Sequence, residues 1–98
     1  MDASVAIQVL PKVLEQEETR RIVDEVIAYI ASTGLHYVVG PFETTLEGEL
    51  DALMDIVKEC QRICIRAGAP SVMSYVKISY KPGGVWTIDD KTGKYQKS

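Results

Sequence analysis

Two glutamates flank a threonine near the middle of the chain, in the segment Gly-Pro-Phe-Glu-Thr-Thr-Leu-Glu-Gly-Glu at residues 40–49. Side chains alternate between the two faces of a strand, so Glu43, Thr45 and Glu47 share one face if this segment is extended. Two acids beside a hydroxyl suit a small cationic or amide-bearing ligand, and they would repel phosphate or nucleic acid. The alternative interpretation is that these glutamates form only the solvated side of a sheet, because charged residues are mostly exposed.

The two cysteines are the other residues whose type could do chemistry. Cys60 and Cys64 are four positions apart and share one face if they lie on a helix. A metal site would need more ligands, and His36, the only histidine, is distant in sequence. We interpret both cysteines as core side chains, since free cysteine behaves as a small buried hydrophobe. With no Ser-His-Asp set, phosphate loop or metal-ligand cluster, the sequence predicts no catalytic residues, no metal, no cofactor and no enzyme activity.

Length and composition indicate one small globular domain spanning residues 1–98. The chain is mildly acidic, with 14 Asp and Glu against 11 Lys and Arg, which argues against a nucleic-acid partner. No apolar run is long enough to span a membrane, so no membrane partner is expected. The N-terminus lacks the basic start and apolar core of a signal peptide, and we therefore expect a cytoplasmic protein.

Hydrophobic periodicity predicts the elements that must position these residues. Alternation and β-branched residues predict strands, whereas apolar residues three and four positions apart predict helices. The predicted order is a strand over 3–10, a helix over 16–32, strands over 36–39 and 42–47, a helix from 48 to 67, a strand over 72–80 and a short strand over 85–88.

This β-α-β-β-α-β order predicts an α+β fold of the split-βαβ, ferredoxin-like type. Its four-stranded antiparallel sheet carries two helices on one face and a short extra C-terminal strand. The other face mixes apolar and polar side chains, which predicts an oligomer interface with an embedded ligand pocket. A monomer with a partly apolar sheet is the alternative. The predicted open-face residues are Ala6, Gln8, Leu10, Tyr37, Val39, Glu43, Thr45, Glu47, Met73, Tyr75 and Lys77.

Three segments resemble the YkoF-like thiamine-binding family. They are Val-Ala-Ile-Gln-Val-Leu-Pro at 5–11, Gly-Leu-His-Tyr-Val-Val-Gly-Pro-Phe-Glu-Thr-Thr-Leu-Glu-Gly-Glu at 34–49, and Val-Lys-Ile-Ser-Tyr-Lys-Pro-Gly-Gly-Val at 76–85. The central block is the most specific of the three. The resemblance implies a ferredoxin-like fold, assembly as a homodimer or homotetramer, and binding of thiamine or its hydroxymethylpyrimidine part without turnover. Because the chain holds one copy of the module, a partner subunit would complete the pocket.

The chemistry of thiamine then assigns expected roles to individual side chains. Its thiazolium cation suits Glu43 or Glu47, and its aminopyrimidine edge suits hydroxyl, amide and carboxylate groups. A tyrosine could stack on a ring, while Lys77 would pair with a glutamate or meet a phosphate on the ligand. A regulatory or structural oligomer without a thiamine ligand remains the alternative function. The candidate ligand-binding residues are Gln8, Tyr37, Glu43, Thr44, Thr45, Glu47, Tyr75 and Lys77.

Overall fold

The computed structural model describes residues 1–95, and residues 96–98 of the predicted domain lie outside the described part. The chain order confirms the predicted α+β plan. The elements are β1 (Ala3–Pro11), α1 (Gln16–Ser32), β2 (Tyr37–Val39), β3 (Thr44–Gly48), α2 (Leu50–Arg66), β4 (Val72–Tyr80) and α3 (Ile88–Thr92), followed by one 3-10 turn, Gly93–Tyr95.

The four strands form one antiparallel sheet in the order β2-β3-β1-β4. The first strand is therefore central and pairs along its whole length with β4, from Ala3 opposite Tyr80 to Pro11 opposite Val72. Its pairing with β3 is shorter and stops at Ile7 opposite Thr44. This topology is the predicted ferredoxin-like arrangement.

The core lies between the sheet and the two long helices. Alternate residues of β1, such as Val5 and Ile7, are buried because a strand turns every second side chain to the same face. On α1, Ile22 and Ile30 are fully buried at helical spacing, and Leu53 of α2 meets them in the same cluster. Each such side chain contributes about 1.5–3 kcal/mol when it leaves water. This burial fixes which sheet face is covered and which remains open.

A glycine follows the C-terminal end of each long helix. Gly34 follows α1 with a φ of +79°, and Gly68 follows α2 with a φ of +116°. Both values lie in the left-handed region, which glycine enters without the steric cost of a Cβ. No helix within residues 1–95 combines the length and apolar character that a membrane crossing demands.

The predicted C-terminal strand over 85–88 is wrong. Ile88 begins α3 instead, because Thr87 and Asp90 form a reciprocal capping box. The Thr87 hydroxyl accepts from the Asp90 N–H at 2.9 Å, and the Asp90 carboxylate accepts from the Thr87 N–H at 3.0 Å. These hydrogen bonds, led by the one from the Thr87 backbone, lower the pKa of Asp90. They satisfy N–H groups that the first turn of a helix otherwise leaves free.

The boundaries of β3 also differ from the prediction. The strand begins at Thr44 and includes Gly48, so Glu43 lies in the loop before it and α2 begins at Leu50. The Gly40 N–H donates to the Glu43 carbonyl at 2.9 Å, which closes a tight turn over 40–43.

The predicted placement of Tyr37 and Val39 on the open face is wrong. Tyr37 lies opposite Leu46, and Val39 lies opposite Thr44. Directly paired residues of neighbouring strands point to the same face, and Leu46 belongs to the core. Tyr37 accordingly packs against the core, and Val38 is the β2 side chain on the open face.

Both cysteines lie in the core, as predicted, and neither forms a disulfide. Burial, assisted by the nearby Cys64, raises the pKa of the Cys60 thiol from its usual value of 9.0 to about 12. Burial also raises the pKa of Cys64. Both groups are therefore neutral thiols at physiological pH.

This burial predicts a loss of stability in alkali. Because the folded-state pKa of Cys60 is raised, the stabilisation is complete below pH 9.0 and is lost as the pH rises towards about 12. In that window the free energy of unfolding should fall with a slope approaching about 1.4 kcal/mol per pH unit for this one group. Urea unfolding at several pH values measures the slope. A Cys60→Ala variant with an equally steep slope would contradict the assignment to Cys60.

Candidate functional site

Rows of side chains cross the open face of the sheet, which is the face opposite to α1 and α2. Residues paired on neighbouring strands have Cβ atoms about 4.5–5.5 Å apart, so each row forms a continuous surface. In order along β1, the rows are Glu47–Ser4–Ser79, Thr45–Ala6–Lys77 and Gln8–Tyr75.

The short helix α3 is attached to this open face through a buried carboxylate. The Glu47 side chain is only 8% exposed, and its Oε2 accepts a hydrogen bond from the Ile88 backbone N–H at 2.6 Å. Its Oε1 lies 3.8 Å from Nε2 of His36. An acid at the first turn of a helix meets free N–H groups and the positive end of the helix dipole. Glu47 therefore holds α3 in place and does not project freely into a ligand site.

A depression of about 350 Å³ lies between α3 and the sheet, and we call it the α3 depression. Its polar lining consists of hydroxyl and ammonium groups, and its apolar lining comes from both the sheet and the helix. The lining residues are Ser4, Ala6, Val38, Thr45, Lys77, Ile78, Ser79, Ile88, Lys91 and Thr92.

A second depression of about 240 Å³ adjoins the first at the β2–β3 turn, and we call it the hairpin depression. It shares Val38 and Thr45 with the α3 depression, so the two form one elongated surface. Phe42, which is 78% exposed, offers an aromatic ring at this end, and Glu43 offers a carboxylate. Gly40 and Pro41 complete the lining.

An ion pair joins the two parts of the surface. Lys77 Nζ lies 3.1 Å from Glu43 Oε1, so these side chains reach towards each other across the central strand. This confirms the predicted pairing of Lys77 with a glutamate. Exposed ion pairs contribute little to stability, about 0–1 kcal/mol, and a charged ligand group can replace either partner at small cost.

The structure brings together part of the predicted set. Thr45, Glu43 and Lys77 meet at the junction of the two depressions. Gln8 and Tyr75 are paired further along the open face and line neither depression. The remaining predicted residues are Glu47, which binds α3, and Tyr37 and Thr44, which lie on the helix side.

Thr44 and Gln8 instead line a cleft of about 250 Å³ at the end of the β1–β3 pairing. Its walls are mainly apolar side chains of α1 and β1, including Val23 and Ile27. The cleft exists because β1 continues past Ile7 after the ladder with β3 has ended. The cleft extends to α1, and at the β2–β3 turn it shares Gly40, Pro41, Phe42 and Glu43 with the hairpin depression.

Sequence reasoning missed several lining residues, namely Ser4, Val38, Phe42, Ser79, Lys91 and Thr92. The serines follow from the alternation that placed Ala6 on the open face, because every second residue of β1 and β4 shares it. Lys91 and Thr92 required recognition of α3, whose capping-box residues Thr87 and Asp90 were the available signal. Within residues 1–95, no group of three or more His, Cys, Asp or Glu side chains is arranged to hold a metal.

The family described as thiamine-binding protein matches residues 5–96. The chain belongs to this family. The match covers every lining residue of both depressions except Ser4, together with the turn over 40–43 and the described part of the C-terminal segment. The resemblance found in the sequence is thereby confirmed, and it ties the chain to a thiamine-related role.

Three relatives support the assignment. A UPF0045 protein of Clostridium perfringens is 54% identical over 93 residues, which are 95% of this chain and 96% of that protein. A Bacillus cereus DUF77 structure has a TM-score of 0.87 and 40% identity, covering 98% of this chain and 91% of that one. A Thermotoga maritima structure, provisionally assigned to thiamine biosynthesis or salvage, has a TM-score of 0.87 and 38% identity. The match covers 98% of this chain and 100% of that one.

Proposed function

We propose that this chain binds thiamine or its hydroxymethylpyrimidine part on the open sheet face, without turning it over. The observation that carries this proposal is the elongated surface whose two depressions share Thr45, with a carboxylate and an aromatic ring at one end. Membership of the thiamine-binding protein family supplies the ligand class. Thiamine is itself elongated, with two rings joined by a methylene.

The side chains at the junction suit the two rings. Glu43 can exchange its contact with Lys77 for one with the thiazolium cation, and Phe42 offers a ring face against which a cation or a heterocycle packs. The Thr45 hydroxyl both donates and accepts, as an aminopyrimidine edge requires. The polar groups that line the two depressions are hydroxyls, lysine ammonium groups and the Glu43 carboxylate. The cysteine thiols are buried on the other side of the sheet and take no part in this lining.

We further propose that a second copy of the chain closes the site. Both depressions are shallow, whereas small-molecule sites usually surround most of their ligand. Beyond the depressions, Met73 and Tyr75 are 44% and 59% exposed on the same face. Exposed apolar groups beside an open pocket are typical of a subunit interface, and symmetric homodimers are the commonest assembly.

Replacing Glu43 by glutamine is expected to weaken thiamine binding about tenfold, because a charge-assisted contact with the thiazolium is lost. Affinity for neutral hydroxymethylpyrimidine should change little, since that fragment lacks the cation. Isothermal titration calorimetry measures both. Glu17→Gln, which neutralises an exposed acid on α1, is the matched control.

Two outcomes would contradict the proposal. Equal loss of affinity for both ligands would show that Glu43 does not act through the cation. If the unmodified chain binds neither ligand, yet light scattering shows a stable oligomer, the function would be that of a structural or regulatory oligomer. If light scattering at micromolar concentration gives a mass near that of one chain, the proposal that a second copy closes the site is wrong.

A further inference from the structure

The α3 depression differs chemically from the hairpin depression beside it. Its polar lining comprises the ammonium groups of Lys77 and Lys91 together with four hydroxyl groups. Hydroxyls donate one hydrogen bond each, and an ammonium donates up to three and accepts none. Those hydroxyls belong to Ser4, Thr45, Ser79 and Thr92. The Thr92 hydroxyl already donates to the Ile88 carbonyl at 2.8 Å, so the other three hydroxyls and the two positive charges are what this lining offers to an anion.

Neither glutamate beside this depression opposes an anion there, and Asp89 and Asp90 of α3 are absent from its lining. The Glu47 carboxylate is buried and already accepts from the Ile88 N–H. Glu43 contacts Lys77 from the hairpin depression and is absent from the lining of the α3 depression. Among residues 1–95, no acidic side chain forms an ion pair with Lys91.

We propose that the α3 depression is a phosphoryl subsite, which takes the phosphomonoester of thiamine monophosphate. This inference rests on the proposed function. A phosphomonoester carries a charge of about −1.5 to −2 at neutral pH and three strong acceptor oxygens. Lysine binds phosphate as a point charge, and hydrogen bonds to charged acceptors are about twice as strong as neutral ones.

The charge distribution along the elongated surface matches such a ligand. Glu43 supplies a negative charge at the hairpin end, and Lys77 and Lys91 supply positive charges at the α3 end. In thiamine monophosphate the thiazolium cation lies between the pyrimidine and the anionic ester. With the thiazolium beside Glu43 and the ester in the α3 depression, the pyrimidine lies in the hairpin depression, which Thr45 also lines. A ligand that displaces the contact between Glu43 and Lys77 thus gives each side chain a new partner of opposite charge.

The test compares four ligands by calorimetry at low ionic strength: thiamine, thiamine monophosphate, hydroxymethylpyrimidine and its phosphate. Inorganic phosphate serves as a separate probe of the subsite. We expect thiamine monophosphate to bind about tenfold more tightly than thiamine, as one charge-assisted interaction provides. Hydroxymethylpyrimidine phosphate carries its ester on the carbon that bears the thiazolium in thiamine, so its ester does not reach the subsite and it should show no such gain. The preference should shrink as salt is raised, because the Debye length falls to about 8 Å at 0.15 M.

Two variants locate the effect. Lys91→Gln should bring the affinity for thiamine monophosphate close to the affinity for thiamine. Lys81→Gln removes an exposed charge outside the lining and should leave the ratio of these two affinities unchanged. Equal binding of thiamine and its monophosphate by the unmodified chain would overturn the subsite and leave the proposed function standing. Binding of inorganic phosphate that depends on Lys91, without binding of either thiamine form, would support the subsite and overturn the thiamine assignment. A chain that binds no ligand and no phosphate would overturn both.

Discussion

Replacing Glu47 by alanine is expected to release α3 from the sheet while leaving the rest of the fold intact. The carboxylate accepts the Ile88 N–H at 2.6 Å in a site that is 8% exposed, so its removal leaves a helix start without its charged partner. A hydrogen bond to a buried charged group contributes about 1.5–3 kcal/mol. The population of molecules with α3 detached should therefore rise about ten- to a hundredfold.

Amide hydrogen exchange measures this release directly. Exchange should accelerate at Ile88–Thr92 and stay unchanged in β1 and β4, because local opening does not require global unfolding. Glu47→Gln keeps an acceptor oxygen and should show a smaller effect, and Glu17→Ala serves as a surface control on α1. Equal acceleration throughout the sheet would instead show that Glu47 stabilises the whole domain. Unchanged exchange in α3 would show that Ile88 packing alone holds the helix.

Replacing Thr45 by phenylalanine is expected to abolish thiamine binding with little loss of stability. Thr45 lies between Ala6 and Val38 on the open face and lines both depressions, so a phenyl ring there occupies the centre of the proposed site. The affinity should fall by at least about a hundredfold, equivalent to about 2.7 kcal/mol. The core is spared because the residue faces away from α1 and α2.

Thr45→Val separates the steric effect from the lost hydroxyl. Valine has a similar shape but cannot hydrogen-bond, so the affinity should fall by only about fivefold, as loss of a neutral hydrogen bond of about 1 kcal/mol implies. Calorimetry gives the affinities, and thermal unfolding reports the stability of both variants. If Thr45→Phe still binds thiamine normally, the site lies elsewhere, and the cleft lined by Thr44 and Gln8 becomes the next place to test.

Much of the fold follows from local patterns in the sequence. The stripe of Ile22, Val26 and Ile30 repeats at helical spacing, and all three are buried on α1. The alternation in β4 likewise predicted that Tyr75 and Lys77 lie on the open face. The register confirms this, because they are paired with Gln8 and Ala6 of β1. These signals are reliable because each spans two or more turns of helix or many residues of strand.

The parts that the sequence did not predict depend on short elements. β2 has only three residues, so alternation could not determine the face of Tyr37, and the register with Leu46 settles it. The segment before Ile88 contains apolar and β-branched residues that favour a strand, but the reciprocal cap between Thr87 and Asp90 starts a helix.

The role of Glu47 depends on a contact across 41 positions of sequence. Alternation correctly placed this side chain on the same face as Thr45, but no local pattern reveals that a backbone N–H of Ile88 comes to meet it. The predicted pair of ligand acids thus becomes one structural acid, Glu47, and one acid free to exchange partners, Glu43. Lys91 enters the site by the same route, since only the position of α3 brings it there.

The pairing of β1 with β4 has a consequence for how the chain assembles. The central strand is synthesised well before its longest partner, which runs from Val72 to Tyr80. Bringing β1 and β4 together closes a long loop of chain, which costs conformational entropy before the contacts between the strands form. Such long-range pairing slows folding. During synthesis β1 can pair only with the five-residue β3, and its other edge stays open to unintended strands. The sheet is therefore completed only once β4 has been made, and α3, which follows β4 in the chain, joins the open face after it.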